Sequence, residues 1–158
     1  MLQKLIRTDD DVVGLVMRLA LGIVIFPHGA QKMLGWFGGG GFGGTIQFFD
    51  QMMGIPAFLT VLVIFAEFFG SLGLIAGLLT RVAAFGVGCV MVGAFLLVHI
   101  HVGFFMNWTG AQQGEGFEYH ILALGLVIGL LIKGGGLASL DRLLQQRLYP
   151  VGLPPRVG

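Results

Sequence analysis

Charged residues are scarce in this sequence. Only 11% of its 158 residues are Asp, Glu, Lys or Arg, whereas 56% are hydrophobic. Soluble domains ordinarily carry about 25% charged residues, so the composition excludes that class and indicates an integral membrane protein. The net charge of +1 and the lack of an Arg- or Lys-rich block give no reason to expect nucleic acid as a partner. The expected surrounding is the lipid bilayer.

Cysteine is nearly absent as well. The single Cys89 lies in the middle of an apolar segment, so an intramolecular disulfide and a C-x-x-C thiol relay are both excluded. Any dithiol chemistry would therefore have to come from a partner. The 28 glycines and five prolines are spread along the chain, and in membrane helices glycine allows two backbones to approach closely. Tight helix packing is the predicted use of the glycines.

Long apolar runs are what the sequence has in abundance. About 20 apolar residues are needed to span the hydrocarbon core of a bilayer. Four windows are long enough, and they cover residues 12–34, 56–79, 82–101 and 118–136. The sequence therefore predicts an all-α integral membrane fold, a four-transmembrane-helix bundle in a single domain over residues 1–158. Asp9 to Asp11 are candidate caps of the first helix, and Gly134 to Gly136 end the fourth.

The segment 137–148 carries leucines at helical intervals, with Asp, Arg and Gln between them. This pattern predicts a short C-terminal amphipathic helix. Such a helix could lie in the membrane interface, or it could be a plain extension that touches the bundle. The pattern does not choose between the two.

Basic residues near the ends of the apolar windows are unevenly distributed. Lys32 stands alone on one side of the predicted bundle. The residues on the other side are Lys4, Arg7, Arg81, Lys133, Arg142, Arg147 and Arg156. Because Lys and Arg are enriched in cytoplasmic segments, both termini are predicted to be cytoplasmic. The connections 35–55 and 102–117 are then outward-facing loops.

Two ionisable residues lie well away from the outer ends of the apolar windows, where such residues are costly and often functional. Arg18 lies about two turns into the first helix and is long enough to snorkel to the headgroups. Glu67, near the middle of the second window, is too short for that. It needs a charged partner, a polar cavity or a proton. Arg18 is the cation nearest to it in predicted depth.

The outer ends of the predicted helices contain all four histidines, together with Lys32 and Glu118. The histidines are His28, His99, His101 and His120. A zinc, copper or iron site would need His28, one of His99 and His101, and one of Glu118 and His120, although no metal-binding spacing motif is present. Two other readings stay open: histidines bonded to loop backbone, and a pocket for a quinone, whose oxygens can exchange protons with imidazole and carboxylate.

The polar residues, taken together, resemble those of the DoxX family of small four-helix bacterial membrane proteins. The matching features are Arg18, His28-Gly29 with Lys32, Gly54 and Pro56, Glu67 with Gly70, Gly77 through Thr80-Arg81, Glu118, and the glycine run before Ser139-Leu140-Asp141. The resemblance implies a multi-pass protein of the bacterial inner membrane. Relatives are associated with quinol oxidase and with thiosulfate:quinone oxidoreductase, so it also implies a subunit of a quinone-linked oxidoreductase complex.

The leading hypothesis is therefore a membrane subunit of a redox complex with an outward-facing pocket for a quinone; a metal or haem is the other cofactor considered. The pocket would be lined by His28, Lys32, Trp36 and Glu118. The polar network inside the bundle would consist of Arg18, Glu67 and Arg81. The alternative is a non-catalytic assembly or binding module. Its partners would be other membrane or redox proteins, or a second copy of the chain.

Overall fold

The computed structural model describes residues 2–149, and Arg156 lies outside that range. Over residues 2–149 the chain forms α-helices and two short 3-10 turns, Trp36–Gly38 and His99–His101, without any strand. The helices are α1 (Leu2–Ile6), α2 (Val12–Leu34), α3 (Gly41–Met53), α4 (Ala57–Ala76), α5 (Thr80–Leu97), α6 (Glu118–Lys133) and α7 (Leu140–Leu148). The predicted all-α fold is confirmed, and α7 confirms the short C-terminal helix.

The four long helices pack as a ring in which α2 contacts α4 and α6, and α5 contacts the same two. Neighbours run antiparallel, because Gly22 of α2 faces Leu74 of α4 while Gly129 near the end of α6 faces Met17 near the start of α2. Apolar side chains from all four helices fill the centre. This core contains Leu21, Ile25, Leu74, Ala84, Val87, Met91, Ala123, Val127 and Leu130.

Three helices, α2, α4 and α5, are long and apolar enough to cross a membrane, judged by length and composition. The predicted span 118–136 begins as expected, but α6 has only 16 residues because Gly134 ends it. At about 1.5 Å per residue, such a helix is roughly 24 Å long, and the hydrocarbon core is about 30 Å thick. The count of four spans therefore stays a prediction.

The connection 35–55, predicted as a loop, is mostly helical. Within it, α3 packs against α2 and α4, with Thr45 buried and the Phe42 ring 6.5 Å from that of Phe65 in α4. The prediction of a loop was wrong because seven of the first ten residues here are glycine, which has low intrinsic helix propensity. Tertiary packing of the spaced aromatic residues overrides that propensity.

Both described ends of the chain meet at one end of the bundle. The Thr8 backbone N–H donates to Gln145 Oε1 over 2.9 Å, and Asp9 N–H donates to the Lys133 carbonyl over 3.3 Å. We call this the basic end, after Arg7, Arg81, Lys133 and Arg142, and the opposite end the histidine end, after His28, His99, His101 and His120. Which end faces the cytoplasm stays a prediction.

Gly29 provides a direct test of the α2–α4 packing. A Cβ atom at this position would lie 2.6 Å from the Phe68 backbone nitrogen and 2.7 Å from the Glu67 carbonyl carbon. We expect Gly29→Ala to cost about 1–3 kcal/mol, the usual penalty for overpacking. The matched control is Gly93→Ala in α5, where nothing lies within 4 Å of the added Cβ. Thermal unfolding of both variants in detergent would measure the difference, and equal melting temperatures would contradict this packing.

Candidate functional site

Glu67 forms an ion pair with Lys32 at the histidine end. The Lys32 Nζ lies 2.6 Å from Glu67 Oε2, and the two side chains are 21% and 5% exposed. Lys32 is in the last turn of α2 and Glu67 is in the middle of α4. The flexible Lys32 stem lets the ammonium group reach back along α2, and Gly29 brings the two backbones together at this depth. A carboxylate that would be costly alone thereby gains a charged partner.

Two further residues are grouped with this pair. His28 lies one turn before Lys32 in α2, and its carbonyl oxygen is 3.5 Å from the Lys32 Nζ. Tyr119, in the first turn of α6, packs against the core and carries a hydroxyl group. That hydroxyl is buried and has no hydrogen-bond partner in the part of the chain that the structure describes. We call these four residues the Lys32–Glu67 site. The sequence alone does not distinguish Tyr119, because an aromatic residue at the start of a helix is common in membrane proteins.

An open depression of about 520 Å³ adjoins Lys32 between α2 and α3. It is lined by Gln31, Lys32, Gly38, Gly39, Gly40, Gly44, Thr45, Phe48 and Phe49. One wall is therefore glycine backbone, and two aromatic rings form another. Lys32 belongs both to the ion pair and to the lining of this depression, so the two features adjoin each other.

The residues predicted for the pocket are only partly brought together. Lys32 lines the depression, but His28 and Trp36 are not among its lining residues, and Trp36 is 54% exposed. Glu118 instead bonds to the connection 102–117. Its Oε1 accepts from the Met106 N–H at 2.9 Å and from the Trp108 Nε1–H at 3.2 Å.

The four histidines do not converge on one point. The rings of His99 and His120 are 4.3 Å apart, and His99 Nδ1 is 2.7 Å from the Glu115 carbonyl. His101 is exposed, while His28 belongs to the Lys32–Glu67 site. Among residues 2–149, no three His, Cys, Asp or Glu side chains are grouped so that they could hold a metal ion.

Arg18 is the most completely bonded polar side chain at the basic end. It is 2% exposed, and its five N–H groups each find a backbone carbonyl. The acceptors are Leu74, Ile75, Gly135, Leu137 and Ala138, at distances from 2.5 to 3.2 Å. Arg18 therefore ties α2 to the end of α4 and to the turn that precedes α7, instead of snorkelling to the headgroups.

The predicted network of Arg18, Glu67 and Arg81 is divided between the two ends of the bundle. Arg81 donates to the carbonyls of Leu131 and Ile132 at 2.8 Å and also to the Arg7 carbonyl. Gly29 abuts Glu67, and Arg18 precedes Gly29 by eleven residues, or roughly 16 Å at the usual helical rise. The structure therefore does not bring Arg18 and Glu67 together.

Asp141 stabilises the basic end of the bundle, a role that the sequence alone did not indicate. Its carboxylate oxygens accept from the N–H groups of Leu79 and Thr80 at 2.7 and 2.8 Å, so it caps α5 from a distant part of the chain. Asp141 is 1% exposed. The only available signal was its place in the segment Ser139-Leu140-Asp141 that resembles the family.

Asp11, the N-cap of α2, predicts a pH dependence. The Lys133 ammonium group, 2.7 Å away, and the Gly14 N–H lower the pKa of this carboxyl below its usual 3.8. A lowered folded-state pKa means that the stabilisation is complete above about 3.8 and is lost as the pH falls through the folded-state pKa. We expect Asp11→Asn, which keeps a capping oxygen, to lower the melting temperature at neutral pH. The deficit should shrink as the pH falls below 3.8, and a deficit independent of pH would contradict the ion pair.

A ring of apolar helices with charged side chains paired or bonded inside it defines a multi-pass helical membrane protein that lies in the lipid bilayer. A model of the DoxX family matches residues 13–100, which include Arg18, Lys32, Glu67 and Arg81. The chain belongs to the DoxX family, as the resemblance in sequence indicated. The loop before α6, α6 itself and α7 lie beyond the matched residues.

Two relatives extend the similarity along most of the chain. The chain is 33% identical over 139 residues to "Inner membrane protein YqjF" of Escherichia coli (strain K12), which covers 87% of this chain and 96% of the relative. It is 29% identical over 131 residues to "Putative oxidoreductase CatD" of Bacillus subtilis (strain 168), covering 83% of this chain and 86% of the relative. No solved structure matches the chain.

Proposed function

We propose that this protein is a membrane subunit of a quinone-linked oxidoreductase complex in the bacterial inner membrane, with the Lys32–Glu67 site as its ligand site. The observation that carries the proposal is an ion pair inside apolar helices whose lysine also lines an open depression. Intramembrane ionisable residues commonly mark ligand or proton pathways. The relatives named as an inner membrane protein and as an oxidoreductase support the location and the redox role.

The chemistry of the site suits a quinone. Reduction of a quinone to a quinol takes two electrons and two protons, and the protons are added to its two oxygens. The Lys32 ammonium group can donate a hydrogen bond to one oxygen, while Glu67 and His28 can hold or pass on a proton. Phe48 and Phe49 in the depression can flank the ring. Electrons would come from a partner redox protein in the same complex.

The orientation follows from the basic residues. We propose that the basic end, with both termini, faces the cytoplasm and that the depression faces outward. Single cysteines introduced at the exposed positions Met52 and Gln3, in a protein whose Cys89 is replaced by serine, would test this in intact cells with a reagent that does not cross the membrane. Met52→Cys should be labelled and Gln3→Cys should not.

The functional test is quinone content. Protein purified gently from its native host is extracted and the extract is analysed by mass spectrometry, for the natural protein and for the variant in which Lys32 and Glu67 are both methionine. We expect about one quinone per chain in the natural protein and none in the double variant. Asp10→Asn, in the exposed pair with Arg142 at the basic end, is the control. Equal quinone content in all three proteins would overturn the assignment of the site.

A second function is favoured by one observation: the depression is open and shallow rather than an enclosed pocket. An assembly module, which holds other membrane proteins or a second copy of the chain, requires no enclosed pocket. In that case the same purified sample would contain no quinone and would carry partner proteins in fixed ratio.

A further inference from the structure

The amphipathic helix α7 presents its polar side to the bundle. The buried Asp141 caps α5, and Gln145 accepts from the Thr8 N–H. The leucines of the same helix point away: Leu140 is 42% exposed, and Leu143 and Leu148 are each 53% exposed. A helix surrounded by water packs its apolar face inward. The reversed arrangement indicates that the outer surroundings of α7 are apolar.

A groove runs beside this apolar face. It has a volume of about 230 Å³ and is lined by Leu78, Leu140, Leu143, Leu144 and Arg147. Leu78 lies in the turn between α4 and α5, two of the helices that are long enough to span a membrane. The groove therefore lies at the boundary between acyl chains and headgroups.

Arg147 is the only cation that lines the groove. In the described residues it takes part in none of the three ion pairs, whereas Lys133 and Arg142 at the same end pair with Asp11 and Asp10. A guanidinium group without a carboxylate partner is free to form a bidentate contact with a phosphate. The groove thus joins four leucines to a positive charge that has no ion-pair partner among residues 2–149.

We infer that this groove binds an anionic phospholipid, whose acyl chain lies against the leucines while its phosphate contacts Arg147. The site lies at the opposite end of the bundle from the Lys32–Glu67 site, so it does not depend on the proposed function. The lipid would fasten α7, and through Asp141 the start of α5, to one leaflet.

Native mass spectrometry of the full chain tests the inference. The delipidated protein in detergent is titrated with a phosphatidylglycerol and, separately, with a phosphatidylcholine of the same acyl chains. We expect preferential binding of one phosphatidylglycerol. Arg147→Gln should reduce that preference about fivefold, since one basic residue near an anionic lipid surface contributes about 1 kcal/mol. Lys4→Gln removes an exposed charge of the same sign from α1 at the same end and is the matched control.

A third variant tests the apolar half of the site. Leu143→Asn should weaken the binding of both lipids without unfolding the chain, because Leu143 is already half exposed. Equal binding of the two lipids by the natural protein would overturn the inference. An equal loss of preference in Arg147→Gln and Lys4→Gln would do the same, because it would indicate a diffuse charge effect. Displacement of phosphatidylglycerol by inorganic phosphate alone would contradict the acyl-chain contact.

Discussion

Replacing Arg18 by leucine is expected to leave little or no folded protein. The substitution removes five hydrogen-bond donors from five backbone carbonyls. The bonds to Leu74 and Gly135 are buried, and the other three are partly buried. The Leu74 carbonyl keeps a bond from the Gly77 N–H, but the other four lose a partner. At up to about 1–3 kcal/mol for each unsatisfied group, the loss is a large part of the stability of a typical domain, which is about 5–15 kcal/mol. The measurement is the yield and melting temperature of the monodisperse protein in detergent.

Two further variants sharpen this prediction. Arg18→Lys keeps the charge but supplies at most three donors from one nitrogen, so it should recover only part of the stability. Arg142→Leu removes a guanidinium group from the exposed pair with Asp10, where the side chains are 35% and 60% exposed. Exposed ion pairs contribute about 1 kcal/mol or less. If Arg18→Leu and Arg142→Leu melted at similar temperatures, the carbonyl contacts of Arg18 would not support the fold.

The sequence was sufficient to predict the all-helical membrane fold, because several long apolar segments each indicate it independently. Each of the windows 12–34, 56–79 and 82–101 overlaps a helix long and apolar enough to cross a membrane, because a helix satisfies its backbone polar groups internally when they leave water. The helix ends at Asp11 and Gly134 were also predicted correctly from the sequence. Arg18 and Glu67 were identified as special simply because charge is rare in such segments.

The residues that contact Arg18 and Glu67 could not be predicted from the sequence. Predicted depth favoured Arg18 as the cation nearest to Glu67, but depth ignores the reach of a side chain. Lys32 lies at the end of α2, yet its stem carries the ammonium group back to Glu67. The acceptors of Arg18 are backbone carbonyls. Every residue has a backbone carbonyl, so the sequence does not indicate which ones accept. The contacts of Tyr119 and Asp141 likewise depend on how distant helices pack.

Removing the positive charge from the Lys32–Glu67 pair is expected to have the second large effect. In Lys32→Met, the Glu67 carboxyl group, 4% exposed, is left in an apolar surrounding without its cationic partner. Breaking a buried pair in this way costs about 3–5 kcal/mol. Glu67→Gln should cost less, because the Lys32 side chain is 21% exposed and can extend toward the surface. Melting temperatures of the two variants, with Asp10→Asn as the exposed control, measure this asymmetry.

The double variant with methionine at both positions should regain most of the lost stability, since replacing a buried pair by apolar residues of similar size is often neutral or better. A double-mutant cycle on the unfolding free energies then gives the coupling between the two charges. A coupling near zero would mean that the 2.6 Å contact contributes nothing in the membrane.

Recovery of stability in the double variant also separates structure from function. If the pair only held α2 to α4, the folded double variant would assemble and function like the natural protein, and a costly charged pair would have no advantage over two methionines. We expect instead that the double variant is as stable as the natural protein but has no bound quinone. A stable and inactive double variant would assign these charges to the ligand, because the fold would have been shown to form without them. A stable variant with unchanged quinone content and electron transfer would assign them to assembly.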